Sequence, residues 1–324
     1  MKVGLTFDLR SWYIDRGYSM DETAEFDKQE TVDALENSLK QMGHTTDPIG
    51  NAFQLIEALG AGKRWDIVFN IAEGLYGDGR ESVVPAILDQ YRIPYVFSGP
   101  LIMGLSLNKH LAKLVVSAAG VPVSQGILIT ELSDITKVRM EYPLFVKPVS
   151  EGTGKGITEK SLVNNASELE KMVIWILEEF RQPALVEEYL PGREFTVGVV
   201  GYGDEAIAIG GMEVICANNL PYSVEVKENY ENYCTYKPLD SDISDECRSV
   251  ALKAWKALDA VDAGRIDVKA DRHGKICFIE ANPLAGLNPI HSDLPMLARM
   301  YGIDYQNLMT MIMDAAIKRV KGIK

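Results

Sequence analysis

The pattern of apolar and polar positions in the first 100 residues predicts strands that alternate with helices. Three short apolar runs are typical of buried strands: Val3–Phe7, Ile67–Asn70 and Tyr95–Phe97. Between them, residues 31–42 and 82–91 carry apolar side chains at helical spacing, and Gly43 ends the first of these helices. Strands that alternate with helices form a parallel sheet, and ligands bind such sheets at the carboxyl ends of the strands. The sequence therefore predicts an N-terminal α/β unit.

Two loops follow strands of this unit. They span residues 8–27 and 73–79, and the second is rich in glycine, which permits a close approach of the backbone to a ligand. Both loops are also compatible with plain connections between elements.

Two strand-like stretches, residues 264–268 and 276–282, lie on either side of the turn signal Asp271–Gly274 and predict a β-hairpin. Because strand side chains alternate between faces, Ile266 and Val268 share one face of the first strand, and Cys277 and Ile279 share one face of the second. We expect these apolar faces to pack on the core.

The opposite face of the hairpin carries Arg265 and Asp267 on one strand and Glu280 and Asn282 on the other. Oxygen ligands of this kind suit Mg²⁺, which binds together with substrate phosphates. An arginine beside them could hold a developing negative charge. The alternative is an ordinary amphipathic hairpin with one solvated face.

A glycine-rich loop, residues 151–156, follows the predicted strand Pro143–Val149. Backbone N–H groups of such a loop can bind phosphate oxygens, although the same composition is common in plain turns. Lys147 favours the first interpretation, because a lysine on a buried strand needs an anionic partner.

Further along the chain, Glu187 and Glu194 flank the turn Pro191–Arg193 between two apolar strands. They either end strands at the surface or bind the hydroxyl groups of a ribose. Residues 221–240 read as a long polar loop, and long loops of this kind are often lids over a site or disordered. Helices are predicted over residues 108–119, 166–180, 245–261, 293–301 and 305–318.

Composition limits the classes of function. The chain has 324 residues and a net charge of −13, which argues against a nucleic-acid surface and against binding to an anionic membrane. The four cysteines show no metal-binding spacing and are typical of reduced thiols. No signal peptide or membrane-spanning run is present in the sequence, so we expect a cytoplasmic protein.

Several motifs, spread over residues 65–310, together resemble the ATP-grasp superfamily, and within it the D-alanine–D-alanine ligases. They are Tyr142–Pro148 with Glu151–Gly156, Leu185–Val197, Gly264–Asp267 and Glu280–Asn282. The resemblance implies an α/β fold: an N-terminal parallel-sheet, Rossmann-like preATP-grasp domain (1–105), followed by two ATP-grasp α+β lobes (106–190 and 191–324).

The resemblance also implies a chemistry. The carboxylate of one amino acid attacks the γ-phosphate of ATP, and the amine of a second attacks the resulting acyl phosphate. Asp267, Glu280 and Asn282 match the ligands of two Mg²⁺ ions, with Mn²⁺ as an alternative metal. The matched ATP-binding positions are Lys109, Lys147, Glu151, Gly152, Gly154, Glu187, Glu188, Leu190 and Glu194.

Positions that match catalytic or substrate-binding residues are less regular. Arg265 and the Gly286 N–H match the oxyanion site, and Ser292 matches a residue that binds the carboxylate of the second amino acid. Thr153 stands where the family has a lid serine, and Glu25 is the candidate for binding the first amine.

The amino-acid pocket departs from the family pattern. Glu73 replaces a histidine, and Tyr230 or Lys227 stands in for the lid tyrosine. We therefore expect an ATP-dependent ligase, most simply a D-alanine–D-alanine ligase of peptidoglycan precursor synthesis that forms a homodimer. The alternatives are a ligase for other amino acids or peptides and a non-catalytic ATP-binding regulatory protein.

Overall fold

The computed structural model describes residues 1–20, 22–217 and 230–322. Its helices are α1 (Arg10–Ile14), α2 (Gln29–Gln41), α3 (Ala52–Gly60), α4 (Val83–Gln90), α5 (Pro100–Leu107), α6 (Lys109–Ala118), α7 (Ala166–Glu179), α8 (Tyr230–Tyr233), α9 (Ser241–Ala257), α10 (Asp293–Met300) and α11 (Tyr305–Gly322).

The strands of the described residues form three sheets. They are β1 (Lys2–Phe7), β2 (Thr45–Gly50), β3 (Ile67–Ile71), β4 (Tyr95–Val96), β5 (Gly126–Ile129), β6 (Leu144–Pro148), β7 (Leu162–Val163), β8 (Ala184–Glu188), β9 (Glu194–Val200), β10 (Ile207–Cys216), β11 (Cys234–Pro238), β12 (Ala263–Ala270) and β13 (Ile276–Asn282).

The first sheet is parallel, in the order β2–β1–β3–β4. Alternation directs Leu5 and Phe69 into one core with helices α2 and α11, and Val68 into a second core with α3 and α4. The predicted parallel α/β unit is therefore confirmed. The sequence pattern missed β2, because its first four residues are polar or only partly buried.

The other two sheets are antiparallel. The second has the order β5–β8–β6–β7 and is covered by α7. The third has the order β11–β10–β9–β12–β13, and α9 packs against it through the fully buried Trp255. Each sheet lies within one of the three predicted domains, whose boundaries stay a prediction.

Two segments predicted as loops contain regular structure. Helix α1 lies within residues 8–27, and β11 lies within residues 221–240, where it pairs with β10 from Met212 to Cys216. The strand escaped notice because its residues are half-buried or exposed at a sheet edge and carry no apolar alternation. None of the described helices combines the length and apolarity needed to cross a bilayer.

Candidate active site

The β12–β13 hairpin places its four polar side chains in two opposite pairs. Arg265 lies opposite Asn282, and Asp267 lies opposite Glu280. This arrangement follows from the turn at residues 271–274, where the Gly274 N–H donates to the Asp271 carbonyl. The predicted polar surface is thus formed.

A β-bulge changes the alternation beyond these pairs. Val268 lies opposite Phe278, so that Ile279 is the extra residue of the bulge. Ile276 and Phe278 consequently occupy the core, whereas Ile279 lines a cavity beside Glu280. The prediction that Ile279 packs on the core was therefore wrong, whereas Cys277 is buried as predicted.

The carboxylate of Asp267 is held by several donors. Its Oδ1 accepts from Thr196 Oγ1 at 2.5 Å and from Arg265 at 2.7 Å, and its Oδ2 accepts from Asn282 Nδ2 at 3.2 Å. Arg265 also pairs with Asp293 at 3.3 Å. The oxygen atoms at this position are therefore oriented by the fold.

The donor set of this hairpin fits a hard divalent cation. Two carboxylates and one amide oxygen face the same region, and Mg²⁺ takes its remaining ligands from water and phosphate. Within the described ranges, no three His, Cys, Asp or Glu side chains converge on one metal position. A cation here would therefore need Asn282 or a substrate oxygen as a ligand.

Two cavities meet at this hairpin. The first cavity, of about 600 Å³, lies between the second and third sheets, and Asp267 lines it. The second cavity, of about 690 Å³, lies between the N-terminal unit and the end of β13, and Arg265 and Asn282 line it. Three residues line both: Lys109, Glu151 and Glu280.

Glu187 forms a buried cluster with two lysines at the first cavity. It accepts from Lys147 at 2.9 Å and from Lys113, which also donates to Ser124 at 2.8 Å. Burial alone would raise the pKa of Glu187, but the two lysines outweigh it and lower that pKa to about 2. Burial lowers the pKa of Lys113 to about 8, against the influence of Glu187. Lys147 therefore has the anionic partner that its position on a buried strand requires.

Other predicted nucleotide-binding residues also lie around the first cavity. Glu194 pairs with Lys269 at 2.8 Å, and Glu188 and Leu190 line the cavity wall. Glu188 is anchored through its backbone N–H, which donates to the Gln125 carbonyl at 2.9 Å.

The glycine-rich loop lies between the two cavities. Gly154 lines the first cavity, and Gly152 and Thr153 line the second. Gly154 has a φ of +76°, a conformation that glycine adopts without strain. Lys109 Nζ donates to the Glu151 carbonyl and lies 3.3 Å from Glu280. The loop and the hairpin are thereby joined through one lysine.

In the second cavity, Glu25 has an arginine partner that the sequence did not suggest. Arg80 Nη2 donates to both carboxylate oxygens of Glu25 at 3.0 and 3.2 Å, and its Nη1 donates to the Ser150 carbonyl at 2.9 Å. A side chain at Gly152 would collide with Glu25. Glu25 is therefore fixed against the glycine-rich loop.

Glu73 and Glu81 line the same cavity, but nearby positive charges compensate their carboxylates less than Arg80 compensates Glu25. Burial raises the pKa of Glu73, and the carboxylates of Glu81 and Glu25 raise it further. Burial raises the pKa of Glu81 to about 7, although Arg80 opposes this effect. Both carboxyl groups would be stabilised in their charged form by a bound cation.

The far wall of the second cavity contains Gly286 and Ser292. Ser292 Oγ accepts from the Asn288 N–H at 3.0 Å, and a Cβ atom at position 286 would lie 2.8 Å from that oxygen. A larger residue at position 286 would therefore displace the Ser292 hydroxyl. Tyr230 is the first residue of α8, but its side chain is not among the described parts of the chain. Lys227 lies outside the described residues altogether.

Sequence reasoning missed Arg80, Glu81 and Lys113. Lys113 lies four residues after Lys109 on α6, and this spacing could have indicated that both face the same side. Arg80 meets Glu25 across 55 residues of sequence, and no local pattern reports such a contact.

Comparisons with known proteins identify the family of the chain. The family model described as D-ala D-ala ligase C-terminus matches residues 116–314. The D-alanine–D-alanine ligase of Marinomonas sp. (strain MWYL1) is 33% identical over 260 residues, which cover 79% of each chain. The predicted class of enzyme, a ligase of this family, is therefore confirmed.

Solved structures show the same fold. The D-alanine–D-alanine ligase of Bacillus anthracis complexed with ATP aligns over 100% of both chains, with a TM-score of 0.75 and 21% identity. The VanG D-Ala:D-Ser ligase of Enterococcus faecalis aligns over 97% of this chain and 99% of its own, with a TM-score of 0.75 and 19% identity. The predicted ATP-grasp fold is confirmed, and the chain belongs to the D-alanine–D-alanine ligase family.

Proposed function

We propose that the protein uses ATP to join the carboxylate of one amino acid to the amine of another, with two D-alanine molecules as the simplest substrates. The observation that carries this proposal is the shared wall of the two cavities, formed by Lys109, Glu151 and Glu280. ATP in the first cavity would bring its γ-phosphate to this wall, where a carboxylate from the second cavity can attack it. The names of the relatives and the ATP-bound structure support this assignment.

In the proposed reaction, a carboxylate oxygen of the first amino acid bonds to the γ-phosphorus, and ADP leaves. The amine of the second amino acid then attacks the acyl carbon, loses a proton, and phosphate leaves. Lys109 and Lys147 would offset the phosphate charge, and Glu187, Glu188, Leu190 and Glu194 would bind the nucleoside part. Positioning and charge compensation carry such a reaction, without a covalent nucleophile.

Arg265 and the Gly286 N–H are the proposed donors to the oxyanion of the tetrahedral intermediate. Both line the second cavity next to Asn282. Ser292 is the proposed contact for the carboxylate of the second amino acid, because its hydroxyl already accepts from Asn288 and can still donate. Thr153, at the tip of the loop, would cover the reacting groups.

Asp267, Glu280 and Asn282 would hold two Mg²⁺ ions, with Mn²⁺ as an alternative. A metal held there would supply charge neutralisation for the transferred phosphoryl group. Thr196 and Arg265 orient the Asp267 carboxylate for this purpose by donating hydrogen bonds to it.

The ammonium group of the first amino acid is assigned here mainly to Glu73. Glu25 was the expected ligand, but Arg80 donates to both of its oxygens and already compensates its charge. Glu73 lines the same cavity, and burial and neighbouring carboxylates raise its pKa, so a bound ammonium group would supply the compensation that its charged form lacks. This difference also supports a second candidate function, ligation of an amino acid other than D-alanine.

The experiment that tests the proposal is phosphate release from MgATP with a panel of D- and L-amino acids, with the product masses measured. Release that depends on D-alanine, together with a dialanine mass, would support the simplest assignment. A different product would retain the ligase and replace the substrate. No amino-acid-dependent release with any substrate would contradict the ligase proposal.

We also propose a homodimer that acts in the cytoplasm in peptidoglycan precursor synthesis. Phe53 and Ile56 on α3 are 66% and 54% exposed, which supports an interface on the N-terminal unit. Light scattering of the parent protein and of Phe53→Asp would test it. A monomeric parent, or a dimer that Phe53→Asp leaves unchanged, would contradict this interface.

A further inference from the structure

Two cysteines at one end of the third sheet lie directly opposite each other. Cys216, the last residue of β10, is the register partner of Cys234, the first residue of β11, and their Sγ atoms are 2.7 Å apart. Nonbonded carbon atoms meet at about 3.5–4.0 Å. The two sulfur atoms are therefore closer than an ordinary packing contact.

The backbone geometry of this pair suits a covalent bond. Opposite residues of antiparallel strands have Cα atoms about 4.5 or 5.5 Å apart, and disulfides span about 4.4–6.8 Å between Cα atoms. Both thiols are partly exposed, so a small oxidant can reach them. The other two cysteines, Cys247 and Cys277, are buried.

We propose that Cys216 and Cys234 are a redox-modification site that forms a reversible disulfide with a low-molecular-weight disulfide such as glutathione disulfide as oxidant. The thiolate of one cysteine attacks a sulfur of the oxidant, which forms a mixed disulfide and releases one thiol. The second cysteine, deprotonated in turn, attacks the protein sulfur of the mixed disulfide and releases the second thiol. Two electrons and two protons pass to the oxidant, so that two small thiols balance one protein disulfide.

The site adjoins the first cavity, because Cys216 is one of its lining residues together with Val214 and Ile215. The bond would fix the end of β10 to β11 at the rim of this cavity. Burial raises the pKa of the Cys216 thiol, and the Cys234 thiol beside it raises the pKa further. Because the thiolate is the attacking form, the exchange should become faster as the pH rises.

The test is an incubation of the full chain with mixtures of reduced and oxidised glutathione, followed by acid quenching and intact mass measurement. We expect a species lighter by about 2 Da that is restored by dithiothreitol. Proteolysis and mass spectrometry should place the cross-link between Cys216 and Cys234. Alkylation should still find Cys247 and Cys277 as thiols after unfolding.

Matched variants separate this pair from the other cysteines. Cys216→Ser and Cys234→Ser should each abolish the loss of about 2 Da, whereas Cys277→Ser should retain it. Three outcomes would overturn the proposal: four alkylatable thiols in every mixture, a cross-link to Cys247 or Cys277, or a bond between two chains on a non-reducing gel. Thiol mapping of the parent protein decides the matter even if a variant fails to fold.

Discussion

The two cavities differ in how their buried carboxylates are neutralised. In the first cavity, Glu187 accepts from two lysines and has a pKa lowered to about 2. In the second, Glu73 and Glu81 have raised pKa values, and Arg80, which lowers both, is itself engaged by Glu25. Glu187 in the first cavity is thus compensated by fixed lysines, whereas Glu73 and Glu81 in the second cavity are suited to a substrate that brings its own positive charge.

This difference agrees with the division of labour that we propose. A nucleotide site needs fixed cations for phosphate, and the fold provides them whatever the amino acids are. An amino-acid site must distinguish one ammonium compound from another, and a carboxylate with a raised pKa responds strongly to a cation. Variants of Glu280 in the shared wall, of Glu187 in the first cavity, and of Glu73 and Glu81 in the second should separate the nucleotide-binding role from the amino-acid-binding role.

The largest effect is expected from the shared wall. Glu280→Gln removes a charge that lies 3.3 Å from Lys109 and faces both cavities. We expect kcat to fall by on the order of 10²–10³, because the proposed metal and the lysine lose a common counter-charge. Steady-state phosphate release measures this loss. Glu205→Gln, at an exposed pair with Lys318, is the control, and a kcat of Glu280→Gln within twofold of the parent value would refute the metal assignment.

The second effect is on stability at the first cavity. Glu187→Gln leaves Lys113 and Lys147 buried without their shared anion. Breaking a buried pair in this way costs about 3–5 kcal/mol of unfolding free energy. Urea denaturation followed by circular dichroism gives the value. Glu188→Gln, one residue further along the same strand and less buried, should lose far less, and an equal loss in both variants would count against the buried cluster.

The third effect concerns the substrate in the second cavity. Glu73→Gln should raise KM for the first amino acid by on the order of ten- to a hundredfold, because the negative charge that strengthens the hydrogen bond from the ammonium group is lost. KM for ATP should stay within about twofold, since the first cavity is unchanged. Glu25→Gln is the comparison, because Arg80 already engages Glu25. A larger rise of amino-acid KM in Glu25→Gln than in Glu73→Gln would return the ammonium contact to Glu25.

The smallest effect is a change in the pH dependence of stability. Burial raises the pKa of Glu81 from an ordinary 4.5 to about 7 in the folded protein. Its contribution to stability is therefore full below pH 4.5 and is lost as the pH rises through 7. Glu81→Gln should flatten the decline of the unfolding free energy between pH 5 and 8, measured by urea denaturation. An unchanged slope would show that Glu81 does not titrate in this range.

The sequence by itself was sufficient to predict many of the regular strands and helices. Short apolar runs predicted β1 and β3, and helical spacing of apolar residues predicted α2 and α6, because burial in a core selects apolar side chains in a regular pattern. The same logic failed at residue 279, since a bulge inserts one residue and no local pattern marks it. It also failed at β11, which pairs along an edge strand with few buried side chains.

The candidate site shows the same division. Asp267, Glu280 and Asn282 were predictable, because alternation along two neighbouring strands brings them to one surface. The state of each charge was decided only by the tertiary structure: Lys113 reaches Glu187 across 74 residues, and Arg80 reaches Glu25 across 55. Local spacing determines which face a side chain occupies. Which distant charge it meets, and hence its pKa, depends on how the sheets and helices pack.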